Sequence, residues 1–497
     1  MESIVSTAFY YVIIPLLVLG IAINIHEFGH FIIAKMFGMR VEAFSFFGLG
    51  PRVWGFKVGH TDYRISAIPL GAFVKLYGDE ATAPLEGGNE KDLETFLDER
   101  NIGAAEEGKG AKNAGREIVP DSELYELRPR WQKFFVMLGG PFMNIVLALS
   151  IPFGMAMIQG IPAVPAPVIA SIRAEGAAAK AGMQVGDRIV SFNGVENPTW
   201  RNITVEAGIN PDRTLEMVVE RSNQRVPLQI TPRKEEVFAG QNAGLIDAEA
   251  DQGVVPVMVG EVAPNTPAAE AGLQMGDRIV SVNGEQAKNI QQTKTTVDKN
   301  KAVPIQLVVE RGGQYLTLNT AVRKLEDGTE RLGFGFQRPD LPLEKASVGG
   351  AIEFAFSSNW ENLKATGAVL GQVFSGNRSV KDSGIGGPVG IIQQSAEATR
   401  LMGIEGFFLI LTAISLSLGI FNLLPVPMLD GGQIMVLGID KVMSWFGRTL
   451  SMVAKERIQL TGLAVILLLM VFVFFLDFSR IAARFGGSDK PSVEQTK

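Results

Sequence analysis

Apolar residues gather into four long runs separated by polar sequence. The first extends from Ser3 to Ile25 without a charge and continues, past His26 and Glu27, to Ala34. The second starts at Phe134 and stays uncharged through Gln159; the third covers Gly406 to Leu429; the fourth is Ile458 to Leu476. Each reaches the roughly 20 apolar residues that a helix needs to cross a bilayer core. The pattern predicts four transmembrane helices, within 1–38, 131–160, 404–432 and 456–478. Gly and Pro interrupt the second and third, which a membrane tolerates only where neighbours satisfy the freed backbone groups. The first run has no basic stretch before it and exceeds a signal-peptide core, so it reads as a retained span. Lys35, Arg40, Arg52 and Lys57 follow that run. By the positive-inside rule they put the next loop in the cytoplasm and the N-terminus outside. Arg128, Arg130 and Lys133 and the basic loop Lys441–Arg457 agree, leaving both termini outside.

Between the second and third spans the pattern changes to short alternating strands and an internal repeat. Residues 178–194 read AAKAGMQVGDRIVSFNG and residues 268–284 read AAEAGLQMGDRIVSVNG, an offset of 90. Each copy predicts a short helix ended by Gly182 or Gly272, a strand such as Arg188–Phe192, and an Asn-Gly turn. The motif resembles a PDZ domain in its bacterial arrangement, and two α+β copies are expected over 163–235 and 243–338. Residues 78–127, rich in Glu, Gly, Ala and Lys without a sustained period, read as a solvated insertion within 78–130. Within 345–400, Gly349 to Phe374 reads as an amphipathic helix at the membrane surface. A polar tail occupies 479–497.

Composition narrows this further. The 497 residues are 46% hydrophobic and 20% charged with no cysteine, which excludes disordered, collagen-like and disulfide-stapled classes. A net charge of −6 argues against nucleic acid as a partner. Without cysteine there is neither thiol chemistry nor a thiolate-bound metal.

Two of the three histidines, His26 and His30, flank Glu27 in HEFGH. On a helix, positions i and i+4 share a face, so two imidazoles reach one metal while Glu27 approaches its water. The alternative is a solvated helix end at the interface. Uncharged sequence on both sides favours the metal, because ionisable groups inside a membrane are costly and default to function. A catalytic zinc needs a third protein ligand. His60, in the polar His60-Thr61-Asp62, fits a hairpin turn better. Asp430, which ends the third apolar run in FNLLPVPMLDGGQI, is the leading carboxylate, against a plain helix-cap or turn role. Pro425, Pro427, Gly431 and Gly432 break the helix there.

HEFGH, the segment GLGPRVWGFKVGHTDYRISAIPLGAFVKLYGD, GGPFMN, GGPVGI and NLLPVPMLDGG, in that order, resemble the site-2 family of intramembrane metalloproteases, in its bacterial branch with tandem PDZ domains. The resemblance covers nearly the whole chain. It implies a zinc endopeptidase of the bacterial inner membrane that cuts transmembrane segments of already trimmed single-span proteins, such as anti-sigma factors and remnant signal peptides. It makes His26, His30 and Asp430 the zinc ligands, Glu27 the general base and Asn422 a substrate contact. It places the PDZ pair and both termini in the periplasm and the active site toward the cytoplasm. It also implies a membrane-associated β-hairpin within 39–77, expected here as Val41–Phe47 with Tyr63–Tyr77, whose edge could hold an unwound substrate. The PDZ domains would then read peptide ends or filter substrates by size. A membrane scaffold with a structural metal and a transporter are the rival classes. A transporter would show inverted repeats among its spans, and the repeat lies only in the soluble part.

Overall fold

The computed structural model describes residues 7–69, 71–77, 119–238, 241–251, 253, 255–301, 303–324, 330–337, 343–380, 387–448, 450 and 452–485. The chain divides into two compact units. One gathers Met1–Met155, Ile352–Asn362 and Ile385–Ala482; the other gathers Ala156–Ala351, Leu363–Gly384 and Ala483–Lys497. Among the described residues, four helical segments are long and apolar enough to cross a membrane: Phe9–Met36, Arg130–Ile158, Ile404–Phe421 and Arg457–Phe475.

In the first unit a π-helical turn, Phe9–Ile13, leads into α1 (Ile14–Met36). Pro15 stands just after this π-helical turn, where the backbone hydrogen-bond spacing changes. Gly38, at φ +69°, turns the chain into a four-stranded sheet: β1 (Val41–Phe46), β2 (Leu49–Val58), β3 (Thr61–Ile68) and β4 (Phe73–Leu76). Its order is β2-β3-β1-β4, with β1 parallel to β3 and antiparallel to β4. This corrects the expected hairpin of 41–47 with 63–77. The true hairpin is β2–β3, turning at Gly59 and His60. Gly55, within β2, allows close strand approach, since a Cβ there would lie 2.3 Å from the Tyr63 carbonyl oxygen.

Residues 78–118 of the expected insertion lie outside the described residues. Its end is not a solvated stretch: Val119, Leu124 and Tyr125 are buried, and Glu123 accepts from Arg40 Nε at 2.9 Å. The chain then enters α2 (Arg130–Ile158), which contains Pro141 and Pro152. α1 and α2 cross backbone to backbone at Gly29 and Gly139; a Cβ on Gly29 would lie 2.1 Å from the Gly139 oxygen.

The second unit holds the repeat as two α+β modules of identical topology. The first contains β5 (Ala166–Ile172), α3 (Ala177–Lys180), β6 (Arg188–Phe192), α4 (Trp200–Ile209), β7 (Leu215–Arg221), β8 (Gln224–Ile230) and β9 (Ala248–Asp251). Its sheet order is β8-β7-β6-β5-β9. The second contains β10 (Val257–Val262), α5 (Pro267–Glu270), β11 (Arg278–Val282), α6 (Ile290–Lys299), β12 (Ile305–Arg311), β13 (Gln314–Thr320) and β14 (Phe334–Phe336), ordered β13-β12-β11-β10-β14. Register repeats too: Ile189 pairs with Val219 and Ile279 with Val309. Phe192, Met217 and Ile230 fill one core, Val282, Leu307 and Ile305 the other. Asn193-Gly194 and Asn283-Gly284 all have positive φ, the double left-handed turn that Asn-Gly favours. Module 1 does not end at 235. Ile246 joins its core and β9 pairs with β5, so residues 246–251, assigned above to 243–338, belong to the first module. An edge strand far along the chain is invisible to a local repeat.

The expected 345–400 region is two helices, α7 (Val348–Phe374) and α8 (Pro388–Met402). α7 buries Ala351, Ala355 and Asn359, and it exposes Val348, Ile352, Phe356 and Trp360 at four-residue spacing. The third span is shorter than 404–432. α9 (Ile404–Phe421) stops before Asn422, and Asp430 opens a new helix, α10 (Asp430–Trp445). α11 (Met452–Phe485) closes the described chain. Its buried Asp477 accepts from the backbone N–H groups of Gly387 and Val389, capping the start of α8.

Candidate metal centre

α1 carries His26 and His30 on one face, both buried, with Glu27 half-buried beside them. Their ligand atoms lie within 4.8 Å of one another. The close Gly29–Gly139 crossing brings α2 against this face. His30 Nδ1 donates to the Val136 carbonyl at 2.7 Å. A carbonyl only accepts, so the His30 proton sits on Nδ1 and its Nε2 lone pair is free to point inward. Gly140, one turn further along α2, leaves the space in front of both rings: a Cβ there would lie 2.4 Å from His30 Nε2 and 2.8 Å from His26 Nε2.

The third element is the break between α9 and α10. Asn422 follows the last turn of α9, and its carbonyl accepts from Gly431 N at 2.7 Å, folding the chain back on itself. Met428 takes φ +81°, a left-handed conformation costly for a side chain, which the fold-back imposes. Gly431 and Gly432 must be glycine, since a Cβ would lie 2.2 Å from Leu423 O or 2.0 Å from Val426 O. Asp430 therefore projects from the first position of α10. Its Oδ2 lies 3.0 Å from His26 Nε2 and its Oδ1 lies 3.5 Å from His30 Nε2. Oδ2 is buried and accepts no hydrogen bond, despite its nearness to His26. Asn422 Nδ2 is 3.2 Å from His26 Nε2, which is itself 3.2 Å from His30 Nε2.

The structure thus brings together all five residues singled out by sequence: His26, Glu27, His30, Asn422 and Asp430. They line a cavity of about 300 Å³. His60 sits apart on the β2–β3 turn, 3.4 Å from Arg40 Nη2. Sequence reading missed several groups. Val74 N–H of β4 donates to Glu27 Oε2 at 3.2 Å, Asn144 reaches His26 Nδ1 at 3.2 Å, and Gln433 and Gln459 line the cavity. Asn144 was within sight, four residues after Gly140 in GGPFMN and so on the same helix face.

Two imidazole nitrogens and a carboxylate converge, without sulfur, on a space that a single methyl group would fill. Two nitrogens and a carboxylate, with room for a fourth ligand, are a donor set that suits zinc. Residues 14–469 match peptidase family M50. The chain belongs to this family. The M50 peptidase is 30% identical to Protease RseP of Yersinia pestis over 93% of its own length and 97% of the relative's. It is 29% identical to the regulator of sigma-E protease RseP of Escherichia coli K12, over 93% and 97%. A Vibrio cholerae protein named as a zinc metalloprotease is 27% identical, over 94% and 98%. M50 peptidases depend on zinc, and this one is a zinc metalloprotease. The donor set described above fits that metal.

Proposed function

We propose that the protein is a site-2-type endopeptidase that hydrolyses peptide bonds inside the membrane, with His26, His30 and Asp430 as zinc ligands and Glu27 as general base. The observation carrying this reading is the convergence of both imidazole Nε2 atoms and the Asp430 carboxylate, at 3.0 and 3.5 Å, on the side of α1 where Glu27 stands. Zinc held there would lower the pKa of its water toward about 7 and polarise the scissile carbonyl. Glu27 removes a proton from the attacking water as its oxygen bonds to the carbonyl carbon. The same carboxylate hands that proton to the leaving nitrogen as the C–N bond breaks. The Val74 amide orients Glu27 for both transfers.

A transmembrane substrate must unwind before its peptide bonds are exposed. β4 is the outermost strand of its sheet, and its Val74 N–H already faces Glu27. Strand addition to this edge would lay an extended substrate along the site, with Asn422 as a further contact. Exposed Val53, Trp54, Phe56 and Val58 suit β2 to contact with lipid. The two repeated modules are read as PDZ domains that meet the extracytoplasmic part of the substrate, as readers of peptide ends or as size filters. The site faces the cytoplasmic side of a bacterial inner membrane, and the modules and both termini face the periplasm. The RseP relatives are named for sigma-E regulation, so pre-trimmed anti-sigma factors and remnant signal peptides are the substrates to try first.

Replacing Glu27 with Gln tests the chemistry. Zinc should stay bound while cleavage of a single-span model substrate, mapped by mass spectrometry, falls by about 10²–10⁴-fold. Full retained activity would remove Glu27 from the mechanism.

A further inference from the structure

The hydrogen-bond account of His26 does not close as the side chains stand. A neutral imidazole has one N–H and one lone pair. Yet amide nitrogens face both ring nitrogens: Asn144 Nδ2 at Nδ1 and Asn422 Nδ2 at Nε2, each 3.2 Å away. Both cannot donate. The ligand assignment decides which amide must turn. Nε2 is the His26 atom that faces Asp430 Oδ2 at 3.0 Å and His30 Nε2 at 3.2 Å, so in a His26 that binds the metal with these two residues the lone pair belongs there. The proton therefore belongs on Nδ1, where it needs an acceptor. The Asn144 side chain, fully buried on α2, is the group in reach.

A half-turn of the Asn144 carboxamide about its last torsion supplies that acceptor without orphaning the amide's other end. Ser415 Oγ of α9 donates to the Asn144 backbone carbonyl at 2.9 Å and lies 3.4 Å from the far end of the carboxamide. After the half-turn, the Asn144 amide N–H donates to the Ser415 oxygen. The chain His26 Nδ1–H to Asn144 Oδ1, Asn144 Nδ2–H to Ser415 Oγ, and Ser415 Oγ–H to Asn144 O satisfies every polar atom in it. His30 obtains the same tautomer from the Val136 carbonyl, a backbone group that mutation leaves in place. His26 depends on a side chain.

We propose that Asn144 is a positioning residue for zinc: by accepting from Nδ1 it holds His26 in the tautomer that offers Nε2 to the metal, and Ser415 fixes the amide's orientation. The role rests on the reading of His26 as a ligand. Outer partners of this kind orient the ring and raise ligand basicity.

The test is zinc affinity of the full-length protein in detergent, measured by competition with a chromogenic chelator, alongside thermal unfolding of the metal-free form. Asn144→Leu keeps the volume but cannot accept, and zinc affinity should fall about 10–100-fold with little change in metal-free unfolding. Asn144→Asp still accepts and should retain the metal, and Ser415→Ala should lose less than Asn144→Leu. If the Leu variant does not fold, Asn144→Ala against Asn144→Asp carries the same contrast. A Leu or Ala variant that binds zinc as tightly as wild type overturns the role, as does an Asp variant that loses as much as Leu. A wild type that binds no zinc overturns the ligand assignment itself, and the role with it.

Discussion

Enclosed carboxylates in this protein meet opposite company. In module 2, Asp277 takes Arg311 Nε at 2.6 Å and Nη2 at 2.7 Å, and accepts from Gln274 N at 2.9 Å. Module 1 repeats this with Asp187, Arg221 and Gln184. Both oxygens are saturated, and the group is finished as a piece of structure. Asp430 has two imidazoles at 3.0 and 3.5 Å, no guanidinium in contact among the described residues, and one oxygen without a hydrogen bond. A carboxylate saturated by the fold serves as structure; one that keeps an oxygen without a hydrogen bond is open to a further partner.

The contrast is open to direct attack, beginning where the effect should be greatest. Gly140→Ala puts a methyl group where the imidazole lone pairs meet, so zinc binding should weaken by more than about 100-fold, beyond the range of outer-partner substitutions. Zinc content after dialysis measures this, and a fully loaded Ala variant would mean that the metal lies elsewhere. Next come the carboxylates themselves. Asp277→Asn should cost the metal-free protein about 1–3 kcal/mol, through loss of hydrogen bonds to a charged group. Asp430→Asn should cost it nothing while abolishing zinc binding. Equal destabilisation by the two in denaturant unfolding would erase the distinction drawn here.

The smallest effect is in pH. The Arg221 hydrogen bond, first among its influences, holds the Asp187 carboxyl below the usual carboxylate range. For Asp277, burial pushes upward, but the Arg311 and Gln274 hydrogen bonds outweigh it and the net shift is also downward. A depressed folded pKa gives stability that is complete above the unfolded value near 4 and is lost as pH falls through the folded value. Thermal stability of the modules should therefore be flat from pH 7 to about 5 and decline below about pH 4. The Asp187→Asn, Asp277→Asn double variant should decline less steeply.

Legibility followed the range of the interactions. HEFGH could be read because i and i+4 share a helix face wherever the helix sits. Asp430 could be found because a carboxylate is conspicuous in apolar sequence. That it begins a new helix could not, because hydropathy runs unbroken through Leu429 while the helix ends at Phe421. The parallel pairing of β1 with β3, and β9 joining β5, depend on hydrogen bonds between distant segments with no local signature. Asn144 stands in a motif quoted for resemblance, yet its partner is 118 residues away. The sites of closest approach, Gly29 and Gly139, look like any other membrane glycines until the helices are set side by side.

That crossing also works as a joint without play. With backbone resting on backbone, no side chain at the contact can repack to let α1 slide on α2. Both histidines, the Val136 carbonyl, Gly140 and Asn144 all ride on this one stiff frame. α11, by contrast, has only 6% of its apolar window buried, although it meets the fold-back through Gly462 against Pro427 and lends Gln459 to the cavity wall. The histidine frame is thus set by backbone contact between two helices, whereas α11 leaves most of its apolar surface outside the fold and meets the site along one edge.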